Sequence, residues 1–241
     1  MSLLVERPIA GVQVLLLARP DRHNAVDAAT VDELDQVIGA VTADPDARAV
    51  VLGSSTPGMF CSGADLRVDD RERARVSDRL YGLYAALLAL PVPVVAAVDG
   101  PAVGGGAQLV LAADVRLGSP RATVRFAGPG HGLAVGSWAL PSAVGRGAAM
   151  ELVLSGRVVA ADEAHRLGLF ERIVDDPLDA ATDLARDVGE LDPAAVSRAK
   201  SAVLDGERLP ERLTAERAAN GAVFTGAVPA RARRSGPCPP R

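Results

Sequence analysis

Val98-Asp99-Gly100-Pro101-Ala102-Val103-Gly104-Gly105-Gly106-Ala107-Gln108-Leu109 joins two apolar runs of different character. Residues 92–98 read as a buried strand, short and rich in Val and Ala. Residues 109–113 are apolar throughout and read as the body of a helix that opens at Gly104. Three consecutive glycines at that junction place exposed N–H groups at a helix N-terminus, which suits an anion or a developing oxyanion. Missing β-carbons let a ligand approach the backbone closely. The same glycines also serve tight strand–helix packing, so both readings stand on this segment alone. Other glycine-rich sites are excluded by spacing. No Gly-Lys-Ser/Thr follows, the glycine order is not that of a dinucleotide loop, and there is no Gly-x-Ser-x-Gly or His-Glu-x-x-His.

Outward from this junction, strand and helix signals alternate. Residues 12–17 predict a strand that ends at the turn Arg19-Pro20-Asp21. Ala28, Val31, Leu34, Ile38 and Val41 recur at helical spacing, with Asp27 placed to cap the helix. Residues 49–52 predict a second buried strand, 78–90 a helix before the strand at 92–98, and 115–118 a further strand. After Gly145 the pattern turns helical: 147–155, then 162–167 stopped by Gly168, then three more stretches, with a short strand at 170–174. This predicts an α/β core over residues 1–145 and a helical part over 146–227. The Pro- and Arg-rich end, 228–241, reads as a solvated disordered tail.

Composition narrows the function classes. The chain has 241 residues, 49% hydrophobic, enough for a full-sized core packed by Ala, Val and Leu because aromatics supply only 3%. A net charge of −4 argues against a general nucleic-acid binder. Cys61 and Cys238 stand far apart without metal-ligand spacing, so no metal site and no disulfide framework is expected, and a reduced cytoplasmic setting is the default. Residues 80–98 carry no charge over the length of a membrane span, but Pro91 and Pro93 interrupt them. A helix ending near Leu90 followed by a strand is expected instead, in a protein with no membrane span.

Several ordered motifs carry a resemblance. Arg19-Pro20-Asp21-Arg22-His23-Asn24-Ala25 comes first, then Phe60-Cys61-Ser62-Gly63-Ala64-Asp65-Leu66 and Gly100-Pro101-Ala102-Val103-Gly104-Gly105-Gly106. Ala113-Asp114, Ala143-Val144-Gly145, Leu154-Ser155-Gly156, Ala164 and Gly168-Leu169 follow in order. Across residues 5–205 the sequence resembles the enoyl-CoA hydratase/isomerase (crotonase) superfamily. The resemblance implies a spiral of ββα units followed by a helical C-terminal part that helps to form homotrimers or hexamers. It implies an acyl-CoA ligand whose thioester oxygen meets the N–H groups of Ala64 and Gly105, preorganised donors worth ~3–4 kcal/mol each. Coenzyme A would run past Arg22, Ser62, Ala64, Asp65, Leu66, Arg67 and Gly105, with Arg19 a further candidate for its phosphates. Trp138 reads equally as an acyl-tunnel wall or as core. No cofactor beyond the thioester ligand is implied.

The match departs from family hydratases at the acid–base positions. One family glutamate falls two residues after the last glycine, where Gln108 stands; the other aligns with Gly130 in Phe126-Ala127-Gly128-Pro129-Gly130. Glutamine takes up no proton at neutral pH and glycine has no side chain. Loss of general acid–base help costs ~10²–10⁴-fold in rate. His131 is the neighbouring group able to titrate near neutrality, or else a loop residue that caps or packs. The loop Gly132-Leu133-Ala134-Val135-Gly136-Ser137-Trp138 resembles a subgroup that lacks both glutamates and binds long acyl-CoA. Three functions follow as alternatives. The leading one is an acyl-CoA-binding protein of fatty-acid metabolism with weak or absent hydratase activity. The others are an enzyme (hydratase, isomerase or acyl-CoA hydrolase) using a non-glutamate acid/base such as His131, and a ligand-free structural trimer.

Overall fold

The structure, a computed structural model, describes residues 2–65 and 67–224. Leu66, Cys238 and the tail 228–241 lie outside the described residues. β1 (Leu3–Ile9) and β2 (Val12–Leu17) pair antiparallel, and α1 (Ala28–Ala43) follows. Then come β3 (Ala49–Ser54), α2 (Asp70–Ala89), β4 (Val94–Val98), β5 (Pro101–Val103), α3 (Gly105–Leu111), β6 (Val115–Gly118) and β7 (Thr123–Arg125). The remaining elements are α4 (Leu140–Ser155), β8 (Val158–Ala160), α5 (Ala161–Leu167), β9 (Arg172–Ile173), α6 (Pro177–Gly189), α7 (Pro193–Glu207) and α8 (Leu209–Phe224).

Each turn of the chain lays one strand in a main sheet and a second, shorter extended segment in a side sheet, then crosses back through a helix. The main sheet runs β1-β2-β3-β4-β6-β9 and is parallel except for β1. The side sheet runs β5-β7-β8 and is continued by two single-residue parallel bridges, Val26 with Ala64 and Cys61 with Ala102. The repeating order is therefore β2, Val26, α1; β3, Cys61–Ala64, α2; β4, β5, α3; then β6, β7, α4. This is the crotonase-type α/β spiral.

Both faces of the main sheet are covered, which is why its central strands read as continuous apolar runs. Leu15, Leu17, Val50, Leu52, Val94 and Ala96 face the larger core, while Val14, Leu16, Val51 and Val95 face Ala181 and Ala185 of α6. Asp27 caps α1 as expected from its position, accepting the Thr30 N–H at 2.9 Å. The uncharged stretch 80–98 divides between α2 and β4, and among the described residues no helix is long and apolar enough to cross a membrane.

Several expectations need correction. α2 begins at Asp70 rather than at residue 78, because Asp69 caps it through the Glu72 N–H and its first two turns are charged, leaving no apolar periodicity to read. The strand expected at 170–174 is only Arg172–Ile173. β1 and the three-residue strands β5, β7 and β8 carry too little pattern to be read from sequence. α7 is anchored from below by Lys200, whose ammonium lies 2.8 Å from the Asp114 carboxylate and donates to the carbonyls of Leu87 and Val92. Burial pulls the Lys200 pKa below its ordinary value, against the opposing pull of Asp114.

Candidate functional site

The glycine junction and the segment after Cys61 meet edge to edge. The Cys61 N–H donates to Pro101 O, and the Val103 N–H returns to Cys61 O at 2.9 Å. One step along, the Val26 N–H donates to Gly63 O and the Asp65 N–H to Val26 O. That parallel pattern turns the Ala64 N–H away from Val26, toward the place where β5 has already ended and α3 begins. A β-carbon built on Gly105 would lie 3.4 Å from Ala64 N, so the two residues abut. Among the described residues, no acceptor takes the N–H of Ala64 or of Gly105. Tyr84 Oη fixes the ledge from α2 by donating to Gly105 O at 3.0 Å. Two unclaimed N–H groups side by side are costly to leave dry, and they suit an oxygen that carries or gains negative charge.

These donors open on a cavity of about 140 Å³. Its walls include Ser62, Gly63 and Ala64; Leu80, Tyr81 and Tyr84 of α2; and Gly105 and Gln108 of α3. The loop after β7 adds Gly128, His131, Leu133 and Val135, and α8 closes it with Asn220 and Phe224. The helical part after residue 145 thus supplies part of the wall.

Behind that wall lies a buried polar cluster. Gln108 Oε1 accepts from Trp138 Nε1 at 2.9 Å and from the Gly136 N–H at 3.2 Å. Glu216 Oε1 accepts from Tyr81 Oη at 2.7 Å and from the same Gly136 N–H at 3.0 Å; its Oε2 accepts from the Trp138 N–H at 3.0 Å. Asn220 donates to Tyr81 Oη and Ala134 O and accepts from the Ala134 N–H, which closes the network. Burial first, then the charge and hydrogen bond of Glu216, push the Tyr81 pKa far above its ordinary value, so its hydroxyl stays protonated. Burial likewise pushes the Cys61 thiol up to about 12, and it donates to Asn24 O instead of serving as a nucleophile.

The sequence-derived site residues fall into distinct places. Ala64, Gly105, Gln108, Ser62 and His131 all line the cavity. Gln108 is not free to orient a water through its carbonyl, because that oxygen already accepts two hydrogen bonds. Gly130 lies exposed in the turn before His131, off the cavity wall, and a β-carbon there meets nothing within 4 Å. The tunnel-wall reading of Trp138 is corrected: the ring is 1% exposed, belongs to the core and takes no place in the wall. Arg22 and Arg67 are exposed outside the cavity. Asp65, also off the cavity wall, accepts the Arg67 N–H and shapes its own loop. Arg19 is held inward, 2.7 Å from Asp27, and is withdrawn from any phosphate role. Leu66 lies outside the described residues. Sequence reading assigned no role to Tyr81, Glu216 or Asn220. The signals available were the resemblance of Glu216-Arg217-Ala218 to the family's helix and the spacing of Leu213, Glu216 and Asn220 on one face of α8.

The spiral and its paired N–H ledge define the class. Residues 8–237 match the family model described as enoyl-CoA hydratase/isomerase, and the chain belongs to that family. Within it, the chain is 38% identical over 205 residues to a Mycobacterium tuberculosis protein named probable enoyl-CoA hydratase echA6, covering 83% of this chain and 82% of that one. Among solved structures it is similar to a monofunctional enoyl-CoA isomerase of M. smegmatis, with TM-score 0.75, 33% identity, and coverage of 86% of this chain and 94% of that chain. It is also similar to an enoyl-CoA hydratase of Bacillus anthracis, with TM-score 0.82, 26% identity, and coverage of 92% and 91%.

Proposed function

We propose that this protein binds an acyl-CoA thioester with the carbonyl oxygen between the N–H groups of Ala64 and Gly105, and that it hydrates enoyl-CoA weakly or not at all. It would act as a carrier or modulator of fatty-acyl flux in the cytoplasm, in line with the glutamate-lacking subgroup it resembles. One observation carries the reading: among the described residues that line the cavity, none is a carboxylate. Water must lose a proton to become a nucleophile and the α-carbon must gain one. Gln108 accepts no proton, Tyr81 does not readily release its own, and Gly130 offers no side chain. The ledge alone polarises an enoyl thioester, so a trace above the uncatalysed reaction is expected. Coenzyme A itself would lie along Arg22, Ser62, Asp65, Leu66 and Arg67, and no further cofactor is invoked.

The cavity size bears on the acyl group. At about 140 Å³ it is smaller than the ~300–1,000 Å³ of sites that enclose drug-sized ligands. A long acyl chain therefore requires the loop before Trp138, or α8, to move outward. Calorimetric titration with acyl-CoA of increasing length tests binding, and the hydration of crotonyl-CoA tests chemistry. The expected result is binding with turnover near background; turnover of ~1–10³ per second overturns the non-hydratase reading. In that case the second reading takes over, since His131 is the imidazole in the wall, and His131→Ala should abolish the rate. Ala64→Pro and Gly105→Pro each delete one ledge N–H and should weaken acyl-CoA binding far more than binding of free coenzyme A. Circular dichroism must show both variants folded; unchanged acyl-CoA affinity in folded variants would remove the ledge from the site.

A further inference from the structure

α2 turns one face to the cavity, and that face changes character along its length. Arg73, Ser77, Leu80, Tyr81 and Tyr84 all line the wall, at a spacing that puts them on one stripe of the helix. Tyr84 marks the ledge end, because its hydroxyl donates to Gly105 O at 3.0 Å. Arg73 stands eleven residues earlier, which at the rise of an α-helix is ~16 Å along the axis. The cavity therefore runs from the paired N–H groups, past Leu80 and the Ser77 hydroxyl, to a guanidinium.

The charge in that wall has one sign. Arg73 is cationic, His131 adds a second positive charge when protonated, and among the described lining residues there is no carboxylate. The acidic groups nearby on α2 are engaged elsewhere. Asp69 caps the helix through the Glu72 N–H, Glu72 pairs with Arg75, and Asp78 pairs with Arg217. None of these three lines the cavity. Glu216 stands behind the wall, tied to Tyr81 Oη and to the N–H groups of Gly136 and Trp138. Arg73 is itself engaged within the chain, but a guanidinium carries five N–H donors in a planar fork and can take a carboxylate alongside.

A linear acyl chain whose thioester oxygen sits at the ledge points its far end toward this group. A terminal methyl there strips water from the guanidinium and returns no hydrogen bond. A terminal carboxylate forms charge-assisted N–H···O bonds with the fork, two at once in the bidentate geometry. We propose that Arg73 is a specificity-determining residue that selects acyl-CoA whose chain ends in a carboxylate, the thioester of a linear dicarboxylic acid, with Ser77 as a further donor. This selection rests on the acyl-CoA reading of the cavity and adds to it the chemistry of the chain's far end.

Calorimetric titration with matched pairs tests it: hexanoyl-CoA against adipoyl-CoA, and decanoyl-CoA against sebacoyl-CoA, with free coenzyme A as the reference. In each pair the chain length is the same and only the far end differs. The parent should bind the dicarboxylic member ~10–100-fold more tightly in one pair or both, the range of a hydrogen bond to a charged group. Arg73→Met keeps much of the stem without the charge and should remove that advantage, while hexanoyl-CoA, decanoyl-CoA and free coenzyme A keep their affinities within about twofold. A parent that binds the methyl-ended member as well or better in both pairs overturns the proposal, and this comparison needs no variant to fold. An Arg73→Met protein that loses affinity for free coenzyme A as strongly as for adipoyl-CoA also overturns it, since Arg73 would then serve the coenzyme A phosphates. If no acyl-CoA binds more tightly than free coenzyme A, the acyl-CoA reading fails and the selection falls with it; acyl-CoA binding without preference sinks the selection alone.

Discussion

Gly106 shows how one residue is dictated by a backbone crossing. A β-carbon there would stand 2.3 Å from Cys61 O and 2.8 Å from Cys61 Cβ, and all of these groups sit inside the core. Nothing flexible is available to yield, so Gly106→Ala should destabilise by ~1–3 kcal/mol or more, the range of overpacked cores. Because the displaced atoms belong to the segment that carries Ala64, acyl-CoA affinity should fall with stability. Urea unfolding beside titration calorimetry checks both. A fully stable Gly106→Ala would mean that the α3 junction is looser than drawn. Cys61 offers a second test. Its buried thiol, with its pKa raised to about 12, should resist alkylation in the native state of a Cys238→Ala variant and react only on unfolding.

At the scale of the element, α1 and α8 are held by different physics. α1 buries Val31, Leu34, Ile38 and Val41 and is started by the Asp27 cap. Burial opposes the Asp27 charge, but the Thr30 hydrogen bonds and Arg19 outweigh it and hold its pKa below 3.8. With the folded pKa depressed, this stabilisation is complete above the ordinary carboxylate pKa and is lost as pH falls through the folded value. Asp27→Ala should therefore cost ~1 kcal/mol at pH 7, and the gap to the parent should narrow below pH 3.8. A gap that stays constant down to pH 2.5 would show that the ionised cap is not the source. α8 docks mainly through polar groups: Leu213, Glu216 and Asn220 are its buried residues, and Arg217 adds an exposed pair with Asp78. Truncating Arg217 to Ala should cost under ~1 kcal/mol, as exposed pairs do. Removing Glu216 leaves buried donors unmatched and should cost distinctly more.

On the whole molecule, unburied apolar side chains collect in the helical part. Met150, Leu154, Val158, Leu191 and Val203 are all more than half exposed, and α7 buries none of its apolar residues. Surfaces of this kind support the proposed trimer or dimer of trimers. Light scattering at micromolar concentration should give a mass near three or six chains. Leu154→Glu should lower that mass without changing the circular dichroism spectrum. A clean monomer would end the assembly proposal and leave these exposed side chains without a role.

The local parts of this protein were legible in its sequence because short-range chemistry determines them. Asp27 caps a helix by the reach of its own carboxylate, and continuous apolar runs form strands buried on both faces. Ordered glycine motifs pointed to the family, and the residues that bear the ledge, Ala64 and Gly105, lie within them. What only the tertiary structure decided was where polar groups 28 to 139 residues apart come together. No periodicity reveals that Trp138 turns its indole inward onto Gln108, or that Glu216 shares an N–H with that amide. Those contacts are selected by burial. A polar group taken out of water must find a partner, and which partner it finds depends on how the helical part folds back over the spiral.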